Sequence, residues 1–532
     1  MPLERAYWER VETRPVLETT VGELLRGAAA DAPDRTALVA GVPDPADRRR
    51  WTYAQMLADA ERAARALLTR FEPGDRLAVW APNLAEWVLL EMAAGLAGLV
   101  LVTVNPAFRP AELAYVLRQS KAAGIFYVPE FRTNPMSATL AGVRAELPAL
   151  REAISFADWD DFLELGDLDA TLPEVRPSDP AQIQFTSGTT GFPKGACLHH
   201  RGIVNNARFT AELFEVREGD VWLNPMPLFH TGGCVLGALG ALHARATHVP
   251  VLAFDPGLVL ELIESEGVSV MGGVPTMLIA MSEHAAFASR DLTSLRSVLS
   301  GGSTVPAPLV RQLEAALDIR FGIVFGQTEA SPVITQTRLD DTPEDKAETI
   351  GQPHPNQDVK VIDPASGDVA GIGEVGEICC RGYNVMVGYF ELPDATREAV
   401  DDDGWLHTGD LGSMDERGYL TIEGRLRDMV IRGGENLYPR EIENVLLTHP
   451  GVAEVAVIGV ADARWGEELA GVVRRAAGQP EATGDELHAF VRDLLAPQKA
   501  PRIWAFVDGF PLTPSGKIQK FVLRERLEAG EL

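Results

Sequence analysis

Along the first third of the chain, stretches with scattered apolar positions alternate with short runs that are apolar almost throughout. Segment 53–69 reads as a helix, 76–80 as an extended run, 86–96 as a helix and 100–104 as a strand. A helix over 110–120 and an extended run over 123–127 continue the alternation. Short runs that are apolar on successive residues suit strands buried on both faces, so the rhythm predicts helices laid on a parallel sheet. The middle third repeats it, with helices over 256–266, 275–281 and 308–317 alternating with extended runs over 268–271, 297–300 and 323–325. Glycine-rich turns follow several of these runs, where α/β sheets place their ligands.

The most membrane-like stretch is 87–104, but Glu91, Gly95 and Gly98 interrupt it and Asn105-Pro106 ends it. It predicts a buried helix followed by a buried strand, with no integral membrane segment. Segment 374–419 changes texture to short extended pieces between Gly or Asp turns, and predicts a small antiparallel or barrel-like unit. Beyond Gly424, a helix over 439–447, strands over 452–460 and 468–474 and a helix over 483–495 predict a separate small unit joined at Arg427-Asp428. The expected fold class is α/β, with layered helices and sheets in a large N-terminal domain over 1–427 that includes the barrel-like subdomain. A small α+β C-terminal domain over 428–532 completes it.

At 532 residues the chain exceeds what one hydrophobic core organises, and 46% hydrophobic residues make it globular. A formal net charge of −28 argues against a nucleic acid partner, because binding a phosphate backbone requires a cationic field. An anionic substrate must therefore be held by backbone amides and a few placed Lys or Arg side chains. Cys197, Cys234, Cys379 and Cys380 show neither metal-ligand spacing nor a disulfide framework, so a cytoplasmic location is expected. The first twenty residues hold no apolar core, and no secretory signal is expected.

Chemistry enters at Thr186-Ser187-Gly188-Thr189-Thr190-Gly191-Phe192-Pro193-Lys194-Gly195, directly after the extended run 182–185. Glycines let the backbone turn tightly and aim amides inward, hydroxyls add donors, and Lys194 adds a charge. Such a nest can hold the β- and γ-phosphates of ATP, although the spacing is not that of a Walker A loop. The run resembles the phosphate-binding motif of the adenylate-forming superfamily, which contains acyl-CoA synthetases, adenylation domains of nonribosomal peptide synthetases and beetle luciferases. The resemblance spans the chain from Asp34-Arg35-Thr36-Ala37 to Lys517.

Further motifs carry it, and their roles are what the resemblance implies. Gly301-Gly302-Ser303 would line adenine. In Phe325-Gly326-Gln327-Thr328-Glu329, Phe325 would stack on adenine, Thr328 would bond the α-phosphate, and Glu329, with Thr189, would ligate Mg2+. Asp410 in Thr408-Gly409-Asp410 would accept from the ribose hydroxyls, with Arg425 as a second ribose or phosphate contact. Lys517, in Leu512-Thr513-Pro514-Ser515-Gly516-Lys517-Ile518, would bridge the substrate carboxylate and the α-phosphate and cancel the repulsion between them. His230, in Pro227-Leu228-Phe229-His230-Thr231-Gly232-Gly233, would flank the carboxylate from the acyl-pocket loop. The small domain would be mobile about Asp428, so that Lys517 leaves after adenylation and Gly433-Gly434 approach the coenzyme A channel. Three positions depart from the usual pattern: Phe325 replaces a tyrosine, Arg427 a lysine, and Asn356 a glycine.

The implied function is an ATP-dependent, AMP-forming ligase that joins a carboxylic acid to coenzyme A. The acyl-pocket loop carries no carboxylate to pair an ammonium group, which favours an acid without an α-amine. Gly326 lacks a bulky side chain, and with Val324 and Gly301 as candidate walls the pocket is expected to admit medium, long or bulky acids. Two alternatives stay open: an acyl-AMP ligase that loads a carrier protein, and a thioester-forming enzyme that takes a preformed acyl-adenylate. The oligomeric state also stays open, with a homodimer as one option.

Overall fold

The structure, a computed structural model, describes residues 2–12, 14–167, 169–186, 193–302, 305, 307–433, 435–476, 478, 480–512 and 518–532. The alternation in the first third becomes a seven-stranded sheet. Its parallel part runs in the order Pro180–Thr186, Val100–Val104, Arg76–Trp80, Gly124–Tyr127, Glu152–Ser155. Parallel neighbours need crossover connections, and helices Ala85–Ala97 and Pro110–Gln119 supply two of them. Lys194–His199 returns antiparallel beside Pro180–Thr186, and Gly388–Tyr389 pairs antiparallel on its outer edge.

Helix Ala85–Ala97 is the buried element expected from 87–104. All its residues except Glu86 are buried, and Gly98 stops it in the left-handed conformation, at φ 68°. Trp80 and Trp87, both fully buried, anchor this layer. Among the described residues no helix is long and apolar enough to cross a membrane.

The middle third forms a nine-stranded sheet. Arg320–Gly326, Ser297–Gly301, Val270–Gly272, Val221–Asn224, Thr247–Pro250 and Thr36–Val39 lie side by side and parallel, and both edges are antiparallel. One strand begins later than the expected 268–271. The Val268 amide still donates to the Ile263 carbonyl, closing helix Pro256–Glu266 after Gly267, so the ladder starts at Val270.

The unit expected over 374–419 is antiparallel, as anticipated, but wider. Tyr7–Trp8, Gln357–Ile362, Gly376–Gly382, Leu406–Gly412 and Gly424–Arg425 pair in that order as an open path among the described residues. Turn Leu426–Asp428 then leads into a small C-terminal domain built on the hairpin Val452–Asp462 and Gly466–Arg475. Ile503–Phe506 lies parallel to the second hairpin strand, and helices Pro439–Leu446, Gly484–Leu494 and Lys520–Glu528 complete the domain.

The departure at Asn356 has a backbone reason. Its φ is 59°, in the left-handed region, and its Nδ2 donates to the Arg14 carbonyl at 2.6 Å. Asparagine tolerates this conformation better than other residues that carry a Cβ. Asn356→Ala and Asn356→Gly both lose the amide bond, but alanine alone meets the left-handed penalty. The alanine variant should be less stable than the glycine variant by about 1 kcal/mol in denaturant titrations; equal stabilities would contradict this account.

Candidate functional site

The loop 187–192, with Ser187, Gly188, Thr189, Thr190 and Gly191, lies outside the described residues, but both of its stems are described. Thr186 ends one strand and Lys194 opens the next, and the two residues are cross-strand partners. Lys194 Nζ then sits over the Tyr389 ring, 5.0 Å from its centroid. The Tyr389 hydroxyl in turn donates to Glu329 Oε1 at 2.7 Å.

Glu329 is buried, in the short turn Thr328–Ala330 that follows strand Arg320–Gly326. Its backbone carbonyl accepts the Met386 amide at 2.9 Å, which ties the turn to the segment leading to Tyr389. Burial pushes the carboxyl above its usual range, against the Tyr389 hydrogen bond and the Lys194 charge, while the nearby Asp410 charge adds to the rise. Four groups from three sheets therefore share one electrostatic neighbourhood: Lys194, Tyr389, Glu329 and Asp410.

Asp410 faces Arg425 across two antiparallel strands, with Arg425 Nε 3.3 Å from its Oδ1. The turn before it is braced from below. The Gly409 amide donates to Glu377 Oε1 at 3.0 Å, the Asp410 amide to Thr408 Oγ1 at 3.1 Å, and Thr408 Oγ1 to the Ile378 carbonyl at 2.6 Å. The second Glu377 oxygen lies 2.9 Å from His407 Nδ1, and Cys379 Sγ is 3.6 Å from the same nitrogen. Glu377, Cys379 and His407 thus resemble a metal-ligand set. Both carboxylate oxygens are, however, already engaged by the turn and the imidazole, so the cluster is accounted for as its brace.

Gly301 and Gly326 also answer to the backbone. A Cβ on Gly326 would lie 2.0 Å from the Pro332 carbonyl oxygen, and one on Gly301 would lie 2.4 Å from the Val324 carbonyl oxygen. Close backbone approach demands glycine at both positions, and at 326 it coincides with a register shift in the strand. Phe325 is half-buried and packs on the core of the antiparallel sheet. Gln327 and Thr328 are half-buried as well, Gly302 adopts φ 76°, and Ser303 lies outside the described residues.

His230 is exposed, and its Nδ1 accepts the Gly232 amide at 3.1 Å. The expected loop then runs directly into a wide π-helix, Gly232–Leu239. Gly233 cannot carry a side chain there, because a Cβ would meet the Pro227 carbonyl oxygen at 2.2 Å. In the C-terminal domain, Gly433 has φ 61° and lies against the Trp465 ring, while Gly434 and Lys517 lie outside the described residues. Asp428 ends the joining turn, its Oδ1 3.7 Å from Arg427 Nε.

Sequence reasoning missed Tyr389 and Glu377. Their partners are far away in sequence, and only the Gly388-Tyr389 pair in an otherwise apolar run hinted at the first. A mostly apolar cavity of about 870 Å3, bordered by Arg76, Val100, Pro180, Ile183 and Val387, lies at the opposite, amino ends of the parallel strands. It is not the site assembled above, with which it shares Tyr389.

The brace makes a pH prediction. Hydrogen bonding to Glu377 raises the His407 imidazole above its ordinary value despite partial burial, and the Asp401 carboxylate adds to the rise. A raised folded-state value stabilises the fold below the unfolded-state value and loses that contribution as pH climbs through the folded-state value. The melting temperature of wild type should exceed that of His407→Gln by more at about pH 5.5 than at about pH 8.5. A gap that widens with rising pH would contradict the pairing.

Comparison with known proteins places the whole chain in a family. Residues 25–390 match the family described as AMP-binding enzyme, and residues 441–517 match the AMP-binding enzyme C-terminal domain. YngI of Bacillus subtilis, a proposed acyl-CoA synthetase, is 40% identical over 96% of this chain and 97% of its own. The mitochondrial medium-chain acyl-CoA ligase ACSF2 of Macaca fascicularis is 38% identical over 98% of this chain and 89% of its own. The crystal structure of ATP-bound MatB from Rhodopseudomonas palustris superposes with a TM-score of 0.87 at 29% identity, covering 96% of this chain and 99% of that one. This chain belongs to the AMP-binding enzyme family and, within the adenylate-forming superfamily, stands with the acyl-CoA synthetases.

Proposed function

We propose that this protein converts a carboxylic acid and ATP to an enzyme-bound acyl-adenylate and then transfers the acyl group to coenzyme A. The observation that carries the reading is the meeting of Lys194, Glu329 and Asp410 beside the stems of the glycine-rich loop. A triphosphate there would find an ammonium for its terminal phosphates and, for its ribose, the Asp410 carboxylate as acceptor with the Arg425 guanidinium as donor. ATP use is supported by the likeness to the ATP-bound neighbour, and transfer to coenzyme A by the acyl-CoA ligase relatives.

Glu329 fits a hard divalent cation. It is a buried carboxylate whose ionised form needs positive charge, next to where an anionic nucleotide would lie. Mg2+ held by Glu329 and Thr189 would supply charge neutralisation at the phosphates. Thr186 and the loop hydroxyls and amides would hold the phosphates, Thr328 would donate to the α-phosphate, and Phe325 would cover the base. His230 would flank the acid. Lys517 would bring the acid oxygen and the α-phosphorus together, because two anions approach each other only when a cation screens them.

The thioester step needs a different arrangement. Residues 428–532 would turn about Asp428, withdraw Lys517 and bring Gly433 and Gly434 to the pantetheine. For the acid itself, a medium-chain substrate is supported by the ACSF2 relatives. Four buried free cysteines suit a reducing compartment such as the cytoplasm.

Acid-dependent pyrophosphate exchange tests the first step. Lys517→Ala should lower it by about 100-fold, the scale of a lost transition-state contact. Thioester formation from supplied acyl-adenylate should survive the same substitution. Unchanged exchange would remove Lys517 from adenylation, and loss of both activities would contradict the two-arrangement scheme.

A further inference from the structure

Lys194 and Glu329 carry opposite charges in one neighbourhood, yet no ion pair joins them. Tyr389 contacts both, with its ring face under the ammonium and its hydroxyl on the carboxylate. In a poorly solvated site a direct pair would be strong, and a nucleotide would have to break it before using either group. We infer that Tyr389 is a spacer, a positioning residue that keeps the Lys194 ammonium and the Glu329 carboxylate apart so that each stays available to the nucleotide and its cation.

The local structure is built to hold that ring in place. Tyr389 pairs with Ala196, on the same strand as Lys194. Its amide donates to Thr396 Oγ1 at 2.9 Å. Gly388, at φ 148°, lets the chain pass against Thr396, whose Cγ2 would lie 2.8 Å from a Cβ there. The ring then meets the ammonium through its π face, an attraction weaker than an ion pair and therefore easier to exchange for a phosphate. Phenylalanine would keep this face and lose the hydroxyl, whereas leucine would lose both.

The inference rests on the proposed nucleotide site, and the test separates the two. ATP binding is followed by calorimetry in EDTA, where Glu329 has no cation to hold and affinity reports Lys194. Tyr389→Leu should bind about 10-fold more weakly than wild type, as expected when an ion pair must first be broken. The double variant Tyr389→Leu/Glu329→Gln should recover most of that loss, because the competing carboxylate is gone. Tyr389→Phe should bind ATP in EDTA as wild type does, yet need about 5-fold more Mg2+ for half-maximal ATP binding, having lost one charge-assisted hydrogen bond on Glu329.

Unaltered affinity in the leucine variant, or no recovery in the double variant, would overturn the spacer role. If the leucine variant does not fold, Tyr389→Val takes its place, with the same expected loss and the same recovery on adding Glu329→Gln. If wild type binds no ATP, the functional reading fails separately. The spacer claim is then decided by a crystal structure of Tyr389→Leu: Lys194 must lie in ion-pair contact with Glu329, and separated side chains would refute it.

Discussion

The site depends on a buried carboxylate that stays usable. Glu329 has little solvent to support its charge, and it is supported instead by a phenol hydroxyl and, beyond the ring, by an ammonium. Each partner comes from a different layer. Lys194 and Tyr389 stand on adjacent strands at the edge of the seven-stranded sheet, and Glu329 follows a strand of the nine-stranded sheet. Asp410 comes from the antiparallel sheet. The fold can be read as a means of bringing three sheets to the one point proposed to bind the nucleotide.

That arrangement answers a problem set by composition. A chain with a net charge of −28 repels anions at long range, so any anionic substrate must be captured at short range by groups held in place. Rigidity comes from burial behind the site. Glu91, fully buried in helix Ala85–Ala97, is pushed toward its neutral form and takes a hydrogen bond from Gln182 at 2.7 Å. Gln182 accepts from Gln184, which also bonds Cys234 on the π-helix after His230. This polar chain runs through strand Pro180–Thr186 and links the strand that leads into the proposed phosphate loop to the expected acyl-pocket segment.

Much of the fold was legible where local pattern and final environment agree. Arg76–Trp80 and Val100–Val104 were read to the residue, because a strand covered on both faces is apolar on both faces. Tyr7–Trp8 was not legible, since its partner Gln357–Ile362 is hundreds of residues away and two residues carry no period. The π-helix Gly232–Leu239 was hidden by glycines that resemble a loop but answer to contacts with Pro227 and Asn224. At the site, Lys194, Glu329, Asp410 and Arg425 were legible through their motifs. Tyr389 reaches across to another sheet and Glu377 across to a neighbouring strand, contacts that local sequence hardly records, and the glycine at 326 is required by the backbone as well, which sequence does not show.

The most direct measurement is a crystal structure with Mg2+ and a non-hydrolysable ATP analogue. The account predicts Lys194 Nζ in hydrogen-bond contact with a phosphate oxygen, the metal on Glu329, and Tyr389 still between the two side chains. Phosphates bound away from Lys194, or a metal held by other residues with Glu329 turned aside, would contradict it.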